Sequence, residues 1–313
     1  MVNIALIGYG NIGRRHMESI LDMNGDFRIQ VYDKFVNEDR NEIEFVEGIK
    51  DFVDDIDICI VATKSDVRRL IVEELLSKKN VGYLILEKVA FQSVEDFESV
   101  IELVNNTNTL CYVNCPLRLQ PIYKKVQQLL NLESETKFIY EYSDDFKISS
   151  SFIHILDLFC YLCDDNYIYI YNRLVDVISS VKHKGFVDFI GDLYVTNKSG
   201  HSLLLRKGDN KFTEVLKIEN NDINIYASEG GIEDDINNDR VGIVTFNNQD
   251  SYKIPFLWQS QLTSEYIDQI INEKKCELPT ITQSFQVHKP MINCFNEFLS
   301  KIKGKNIKVC PIT

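Results

Sequence analysis

The sequence lacks the features that would direct it to a membrane, to secretion or to nucleic acid. No apolar run reaches the length that spans a bilayer, and no basic and apolar leader with a cleavage site follows Met1. Lysines and arginines form no stripe, and the formal net charge of −13 would repel a phosphate backbone. We therefore expect a soluble cytoplasmic protein that binds neither membranes nor nucleic acid.

A disulfide framework is not expected either, although the chain has eight cysteines. The chain is too large to need such staples, and the cysteines lie mostly inside apolar segments, as reduced thiols do. Cys160 and Cys163 form a CxxC that suggests zinc, with His154 and Asp157 as further ligands. Helical steps of three residues rotate by about 300° each, so His154 and Cys163 fall on opposite sides. We expect core thiols and no metal.

The length of 313 residues exceeds the size at which one core stops growing, so two domains are expected. Residues 1–117 alternate strand and helix patterns, which predicts a parallel sheet covered on both faces. The predicted strands are 4–7, 29–32, 56–62, 82–86 and 110–113, and the predicted helices are 11–21, 66–77 and 94–104. Ser65 is a candidate N-cap of the second helix, and Ser93 with Asp96 has capping-box spacing before the third.

Residues 118–313 have a different pattern, in which strands dominate. Helices are predicted at 121–130 and 150–162, and "NKSG" at 197–200 is typical of a hairpin turn. Predicted strands cover 138–142, 167–172, 188–196, 202–206 and 222–226, the last four in antiparallel order. Two helices, 259–272 and 282–302, close the chain, and the second is expected to pack back on the first domain.

The stretch "IALIGYGNIGRRH" at residues 4–16 carries a dinucleotide-binding pattern. Gly8, Gly10 and Gly13 follow a predicted strand and open a predicted helix, where they would allow a tight turn and the approach of a pyrophosphate. Asp33 lies 20 residues beyond Gly13 at the end of the second strand, where a carboxylate binds ribose hydroxyls. Its alternative is a solvated turn residue. Lys34 could accept the 2′-phosphate of NADP, but Asp33 would repel that phosphate, so NAD is the expected cofactor.

Several stretches resemble the glucose-fructose oxidoreductase, inositol dehydrogenase and MocA (Gfo/Idh/MocA) family of NAD(P)-dependent oxidoreductases. They are "GYGNIGRRH", "IVATKSDVRRLIVEELL", "LILEKVAFQSVEDF", "NCPLRLQPIY" and "FIHILDL". The resemblance implies a doubly wound Rossmann domain, then an α+β domain with an open mixed, largely antiparallel sheet. The outer face of that sheet often forms an oligomer interface, so a homodimer or homotetramer is expected. Hydride transfer between the nicotinamide and a sugar-like small molecule, possibly nucleotide-linked, is the implied activity, and "WQSQLT", "LPTITQSFQVH" and "CPIT" are similar to a subgroup associated with bacterial surface glycans.

The resemblance also assigns residues to the site. It gives Lys88 and His154 as catalytic, and Arg118, Ser150 and Asp157 as substrate-binding. The residues expected to bind the cofactor, together with the glycines and Asp33, are Asn11, Ile12, Arg14, Lys34, Ala62, Thr63, Glu87 and Lys88.

Three departures from the family pattern bear on catalysis. Val89 replaces a proline after the lysine, so a cis bond there would cost about 3 kcal/mol, and without that bond Lys88 would be displaced. Ser150 replaces an aspartate one helical turn before His154 and supplies only a neutral hydrogen bond. The segment between Tyr142 and Ser150 is also shorter than in relatives, which often carry a longer, glycine-rich loop over the substrate there.

Each chemical assignment has a plainer alternative. Lys88 ends a strand where ligands bind and would serve in proton transfer, or it is a surface lysine. His154 interrupts an apolar helix face as an acid-base group, or it is a core histidine, and Asp157 orients its ring or bonds elsewhere. At the level of function, the alternatives are a non-catalytic dinucleotide-binding sensor or partner protein, and a reductase of C=N or C=C bonds.

Overall fold

The computed structural model describes residues 1–180, 184–209, 213–230, 232–234 and 239–313, and it divides into two compact units. Unit 1 comprises Met1–Cys115 and Trp258–Phe285 together with Thr313. Unit 2 comprises Pro116–Leu257 and Gln286–Ile312. Each unit is therefore assembled from separate segments of the chain.

Unit 1 contains a six-stranded sheet whose order is β3-β2-β1-β4-β5-β6. All of its described strand pairs are parallel. The strands are β1 (Val2–Ile7), β2 (Phe27–Tyr32), β3 (Glu44–Phe45), β4 (Asp55–Val61), β5 (Asn80–Leu86) and β6 (Leu110–Val113). The strand order reverses between β1 and β4, and this reversal opens a crevice at the carboxyl ends of these two strands.

Three helices connect these strands: α1 (Asn11–Leu21), α2 (Ser65–Lys78) and α3 (Val94–Asn105). The predicted cap of α3 is confirmed, because the Ser93 hydroxyl accepts a hydrogen bond from the Asp96 amide at 3.1 Å. The predicted cap of α2 is wrong, since Ser65 is the first helical residue and Lys64 is the N-cap. The Ser65 amide instead donates to the Thr313 hydroxyl at 3.4 Å, a contact from the far end of the chain that local sequence does not reveal.

Unit 2 is built on a nine-stranded sheet of order β13-β14-β12-β11-β7-β10-β9-β8, with β15 paired to β14. Two helices, α4 (Pro121–Leu129) and α5 (Ile148–Cys163), flank β7 in the chain. The strands are β7 (Lys137–Tyr142), β8 (Ile168–Ser179), β9 (Val187–Asn197), β10 (Ser202–Lys207), β11 (Val215–Glu219), β12 (Asn224–Ser228), β13 (Ile232–Asp234), β14 (Asp239–Phe246) and β15 (Asp250–Pro255). Only the β7–β10 pair is parallel among the strand pairs described. This mixed, largely antiparallel sheet confirms the predicted fold class.

The chain ends in two helices, α6 (Gln259–Asp268) and α7 (Ile281–Lys303). A π-helical segment, Gln269–Glu273, extends α6, so the predicted helix over 259–272 is not uniform. No helix in the described ranges is long and apolar enough to cross a membrane.

The two faces of the nine-stranded sheet differ in their covering. On one face Phe189 of β9 stacks on Phe295 of α7, with ring centroids 4.2 Å apart, and Phe138 of β7 meets Phe159 of α5 edge-on. The other face exposes large side chains, among them Tyr169 (62% exposed) and Tyr171 (56% exposed). The core of unit 2 therefore lies between the sheet and its helices.

Candidate functional site

The glycine turn after β1 has the geometry that a bound phosphate group requires. Gly8 has a φ of +97°, and a Cβ built on Gly13 would overlap the Gly8 carbonyl oxygen, so both positions require glycine. A Cβ on Gly10 would meet nothing within 4 Å. Gly10 is also the N-cap of α1 and makes no side-chain cap, which leaves the first-turn amides of Asn11 and Ile12 available to an anion. The chain thus fits a dinucleotide at this turn.

Ala62 and Thr63 border the same crevice from the neighbouring strand. They follow β4 directly, and the Ala62 amide donates to the Ile7 carbonyl at 2.8 Å. A Cβ on Gly8 would lie 2.9 Å from the Ala62 carbonyl carbon. The two loops at the reversal of strand order therefore touch through their backbones, and the sequence separation between them hides this contact.

Asp33 connects the glycine turn to the loop after β2. One of its carboxylate oxygens accepts a hydrogen bond from the Tyr9 amide at 2.6 Å. The other accepts from the amides of Phe35 and Val36, at 2.8 and 3.1 Å. Lys34 is exposed, with its ammonium 5.6 Å from the centroid of the Phe35 ring. Asp33 is thus held in place by three backbone donors.

Arg14 lies beside this carboxylate on the first turns of α1. Its guanidinium binds the Glu38 carboxylate at 2.5 Å and lies over the Tyr9 ring, 4.5 Å from the centroid. The sequence did not indicate a role for Glu38, because the contact of Glu38 with Arg14 depends on how the loop after β2 folds.

Glu87, the last residue before the candidate lysine, is buried in a network of polar side chains. It accepts hydrogen bonds from His16 Nε2 at 2.9 Å and from the Asn114 amide at 2.5 Å. His16 Nδ1 lies 2.8 Å from the Thr263 hydroxyl and 3.3 Å from the Tyr266 hydroxyl. Burial alone would raise the pKa of Glu87, but the hydrogen bond and charge of His16, with Asn114 and Lys88, lower it to about 2. The carboxylate is therefore ionised at neutral pH.

Lys88 follows in a turn that Arg68 supports. The buried Arg68 guanidinium donates hydrogen bonds to the carbonyl oxygens of Glu87, Val89 and Ala90 at 2.6, 2.5 and 2.8 Å, and to the Thr63 carbonyl. The Lys88–Val89 peptide bond is cis, so the valine does not remove the cis bond at this turn. Four carbonyls gathered on one guanidinium fix this turn without the proline. Although part of the Lys88 side chain is exposed, burial lowers the pKa of its ammonium group.

Sequence reasoning assigned no role to five residues of this network: His16, Arg68, Asn114, Thr263 and Tyr266. His16 lies within the glycine motif quoted above. Its position on the apolar face of the predicted helix was the one signal that it is buried. A buried arginine such as Arg68, 2% exposed, carries no such signal, because arginines are rarely buried.

In unit 2, three of the predicted catalytic and substrate-binding residues lie along one face of α5. Ser150, His154 and Asp157 recur at helical spacing, and Ser150 and His154 are partly exposed while Asp157 is buried. Asp157 accepts two hydrogen bonds from Arg118, at 2.9 and 2.5 Å. Burial raises the pKa of Asp157, against the attraction of the Arg118 guanidinium. Asp157 and Arg118 are thus brought together, and Arg118 also lies over the Tyr161 ring.

Metal ligands are not clustered in the part of the chain that the structure describes. No group of three or more histidine, cysteine, aspartate or glutamate side chains there could hold an ion. Cys160 and Cys163 are buried, and burial raises the pKa of both thiols.

Comparisons with known proteins agree with this geometry. Residues 2–115 match the model of the oxidoreductase family with an NAD-binding Rossmann fold. No curated protein sequence matches the chain. Because the similar solved structures have low sequence identity, they show the fold alone.

Three of these solved structures illustrate the range. An oxidoreductase from Agrobacterium radiobacter, in complex with NAD⁺, L-tartaric acid and magnesium, is 15% identical over 98% of each chain, with a TM-score of 0.68. A UDP-N-acetylglucosamine 3-dehydrogenase from Acidithiobacillus ferrooxidans is 14% identical over 94% of this chain and 96% of that one, with a TM-score of 0.62. A super-repressor mutant of Gal80p from Saccharomyces cerevisiae is 14% identical over 98% of this chain and 97% of that one, with a TM-score of 0.66.

Proposed function

We propose that the protein, whose residues 2–115 match the model of the Gfo/Idh/MocA oxidoreductase family with an NAD-binding Rossmann fold, transfers a hydride between NAD and a sugar or sugar-derived alcohol or ketone. The observation that carries this proposal is the glycine turn at the reversal of strand order, with the uncapped amino end of α1 above it. Asp33 supports NAD over NADP, because a fixed carboxylate accepts hydrogen bonds from the ribose hydroxyls and repels a 2′-phosphate. When bound, the nicotinamide supplies the hydride acceptor or donor.

Lys88 is the proposed proton-transfer group of unit 1. Oxidation of an alcohol requires a group that takes up the hydroxyl proton. Burial lowers the pKa of Lys88 and favours the neutral amine that can accept a proton, while Glu87, His16 and Arg68 hold the turn in place. Glu87 opposes this shift by its negative charge. The pKa of Lys88 thus depends on both burial and the neighbouring carboxylate.

His154 is the second proposed catalytic group, and Arg118, Ser150 and Asp157 are the proposed substrate residues of unit 2. Since Arg118 is bound to Asp157 in a partly buried pair, the net charge of the pair is zero. This favours a substrate that binds through hydroxyl groups over one that needs a free guanidinium for a carboxylate. The similarity to a UDP-N-acetylglucosamine 3-dehydrogenase supports sugar nucleotides as the first compounds to test.

The first test is cofactor binding followed by turnover. We expect NADH fluorescence to change on binding, with tighter binding of NADH than of NADPH, and absorbance at 340 nm to change with a sugar or sugar nucleotide. Lys88→Ala and His154→Ala should each lower turnover by about 100-fold or more with NADH affinity nearly unchanged. Tighter binding of NADPH by the unmodified protein would contradict the proposed cofactor. Full activity of either variant would remove that residue from the mechanism.

A non-catalytic dinucleotide-binding protein is the second candidate. It is favoured by the fold similarity to the Gal80p super-repressor mutant and by Ser150 in place of the family's aspartate. NADH binding without turnover on any nucleotide sugar or free sugar tested would favour this candidate.

A further inference from the structure

Two arginine side chains contact the side chain of Tyr9, which lies just beyond the carboxyl end of β1. The Tyr9 ring is buried, with Phe45 packed edge-on against it at a centroid distance of 5.2 Å. Arg14 lies over one face of this ring, and Arg40 donates a hydrogen bond to the Tyr9 hydroxyl at 3.1 Å. The Tyr9 amide binds Asp33. Two guanidinium groups thus contact Tyr9. The pKa of Arg14 is raised by its hydrogen bond to Glu38 and, in smaller part, by the charge of Asp33, the carboxylate that is proposed to bind the ribose.

Glu38 supplies the negative charge that these arginines face. Its carboxylate binds Arg14 at 2.5 Å, and the side chains of Arg14 and Glu38 are 39% and 33% exposed. The pKa of the Glu38 carboxyl is lowered by its hydrogen bond from Arg14 and by the charges of Arg14 and Arg40. Glu38 is therefore ion-paired with the Arg14 guanidinium, and both groups are exposed enough for a ligand to reach them.

We propose that Glu38 determines cofactor specificity by holding the Arg14 guanidinium that would otherwise bind the 2′-phosphate of NADP. This inference rests on the proposed function, since it concerns the ribose end of the same cofactor site. Asp33 is proposed to accept hydrogen bonds from the ribose hydroxyls. In NADP a 2′-phosphate replaces one of these hydroxyls and adds close to two negative charges. Guanidinium groups are the side chains that bind phosphate most effectively in proteins, through parallel N–H donors.

The two carboxylates beside this site act differently. Asp33 receives three backbone hydrogen bonds and forms part of the turn, so its removal would disturb the loop as well as the charge. Glu38 makes a partly exposed ion pair, a kind of contact that contributes little to folding. Removing the charge of Glu38 therefore tests specificity without altering the glycine turn.

The experiment compares the affinities of NADH and NADPH for the full-length protein and its Glu38→Gln variant by fluorescence titration. Glutamine keeps the length of the side chain and a hydrogen-bond acceptor for Arg14, and it removes only the charge. We expect the affinity for NADPH to rise about three- to tenfold and that for NADH to stay within about twofold. The gain in NADPH affinity should shrink at high salt, because the charges are partly exposed.

Two further variants separate this effect from a general change in charge. Glu73→Gln removes the carboxylate of the Arg69–Glu73 pair, which has a similar distance of 2.6 Å and side-chain exposures of 37% and 35%. It should leave the ratio of the two affinities unchanged. The double variant Arg14→Gln/Glu38→Gln should lose the gain, since the gain depends on the guanidinium of Arg14.

The outcomes distinguish this inference from the proposed function. Intact NADH binding with an unchanged NADPH-to-NADH ratio in Glu38→Gln would overturn the role of Glu38 alone. The same gain in Glu73→Gln, or a gain that survives the loss of Arg14, would also overturn it. An unmodified protein that binds neither cofactor would overturn the proposed function, and the inference with it.

Discussion

At the scale of single residues, Glu87 shows how a buried charge can be held in place. A carboxylate that is removed from water is costly unless it is paired and hydrogen-bonded. Glu87 is 7% exposed and receives hydrogen bonds from His16 and Asn114, and its pKa is lowered to about 2. The network therefore stabilises the ionised form more than water does, and it fixes the residue that precedes Lys88.

This lowered pKa predicts a specific loss of stability in acid. An unfolded glutamate has a pKa of about 4.3, so the folded state gains stability from ionised Glu87 above that pH. The gain disappears as the pH falls from about 4.3 towards 2. Glu87→Gln should lower the free energy of unfolding at pH 7 and lose much less of it between pH 5 and pH 2. Urea unfolding followed by the fluorescence of Trp258, the single tryptophan, measures both.

Glu74→Gln is the control for this prediction. Glu74 pairs with Lys78 on the surface of α2, with both side chains more than 40% exposed. This variant should follow the unmodified protein at every pH. A Glu87→Gln variant with the same acid dependence as the unmodified protein would show that Glu87 is not the group that titrates.

Sequence predicted some residues of the candidate site and not others for a physical reason. Gly8, Gly13 and Asp33 are recognisable because backbone geometry restricts which residue can stand there. The contacts of Glu38 with Arg14, and of Arg68 with four carbonyls, join segments that only the folded chain brings together. Charged residues with such partners look the same in sequence as charged residues on a surface.

At the scale of elements, the hydrophobic periodicity of the first third of the chain predicted its three helices and most of its strands. The predicted helix 11–21 has the observed bounds of α1, and the five predicted strands differ from the observed ones by at most two residues at either end. The two-residue strand β3 was not predicted. In unit 2 the sequence pattern did not reveal every strand: β11, β13, β14 and β15 were not predicted, and β8 is longer than expected. The exposed residues of β8 include tyrosines and valine, so the alternation of polar and apolar residues that marks a half-buried strand is lost.

The turn between β1 and α1 predicts a contrast between two glycines. Gly13→Ala would place a Cβ against the Gly8 carbonyl oxygen and should destabilise unit 1 by about 1–3 kcal/mol. Gly10→Ala should leave stability nearly unchanged, because a Cβ there meets nothing within 4 Å. It should nevertheless weaken NADH binding, since its methyl group would occupy space proposed for the pyrophosphate. Thermal unfolding and NADH titration of both variants measure the two effects.

Each glycine serves as the control for the other. Gly10→Ala with full NADH affinity would show that the pyrophosphate does not approach Gly10. Gly13→Ala with unchanged thermal stability would show that the turn can open to accept a Cβ.

At the scale of the whole molecule, the uncovered face of the nine-stranded sheet is the feature that its fold leaves unexplained. Tyr171, Tyr194 and Leu204 are cross-strand partners on β8, β9 and β10, and the row continues through Lys217 to Tyr226. Tyr169, Tyr171 and Tyr226 are 62%, 56% and 39% exposed. Exposed aromatic rows of this kind are typical of interfaces, since single proteins seldom leave large apolar patches in water.

We propose that two copies of the chain associate through this face, and Tyr171→Glu tests it. An interface with two-fold symmetry uses the same patch on both copies, so one substitution introduces two buried charges and should dissociate the assembly. Light scattering after gel filtration should give a multiple of the chain mass of 36.3 kDa for the unmodified protein and 36.3 kDa for the variant. Leu70→Glu, at a residue of α2 that is 59% exposed, is the control and should leave the mass unchanged. A monomeric unmodified protein, or an unchanged mass in Tyr171→Glu, would contradict association through this face, and the tyrosines would then be exposed to solvent in the working protein.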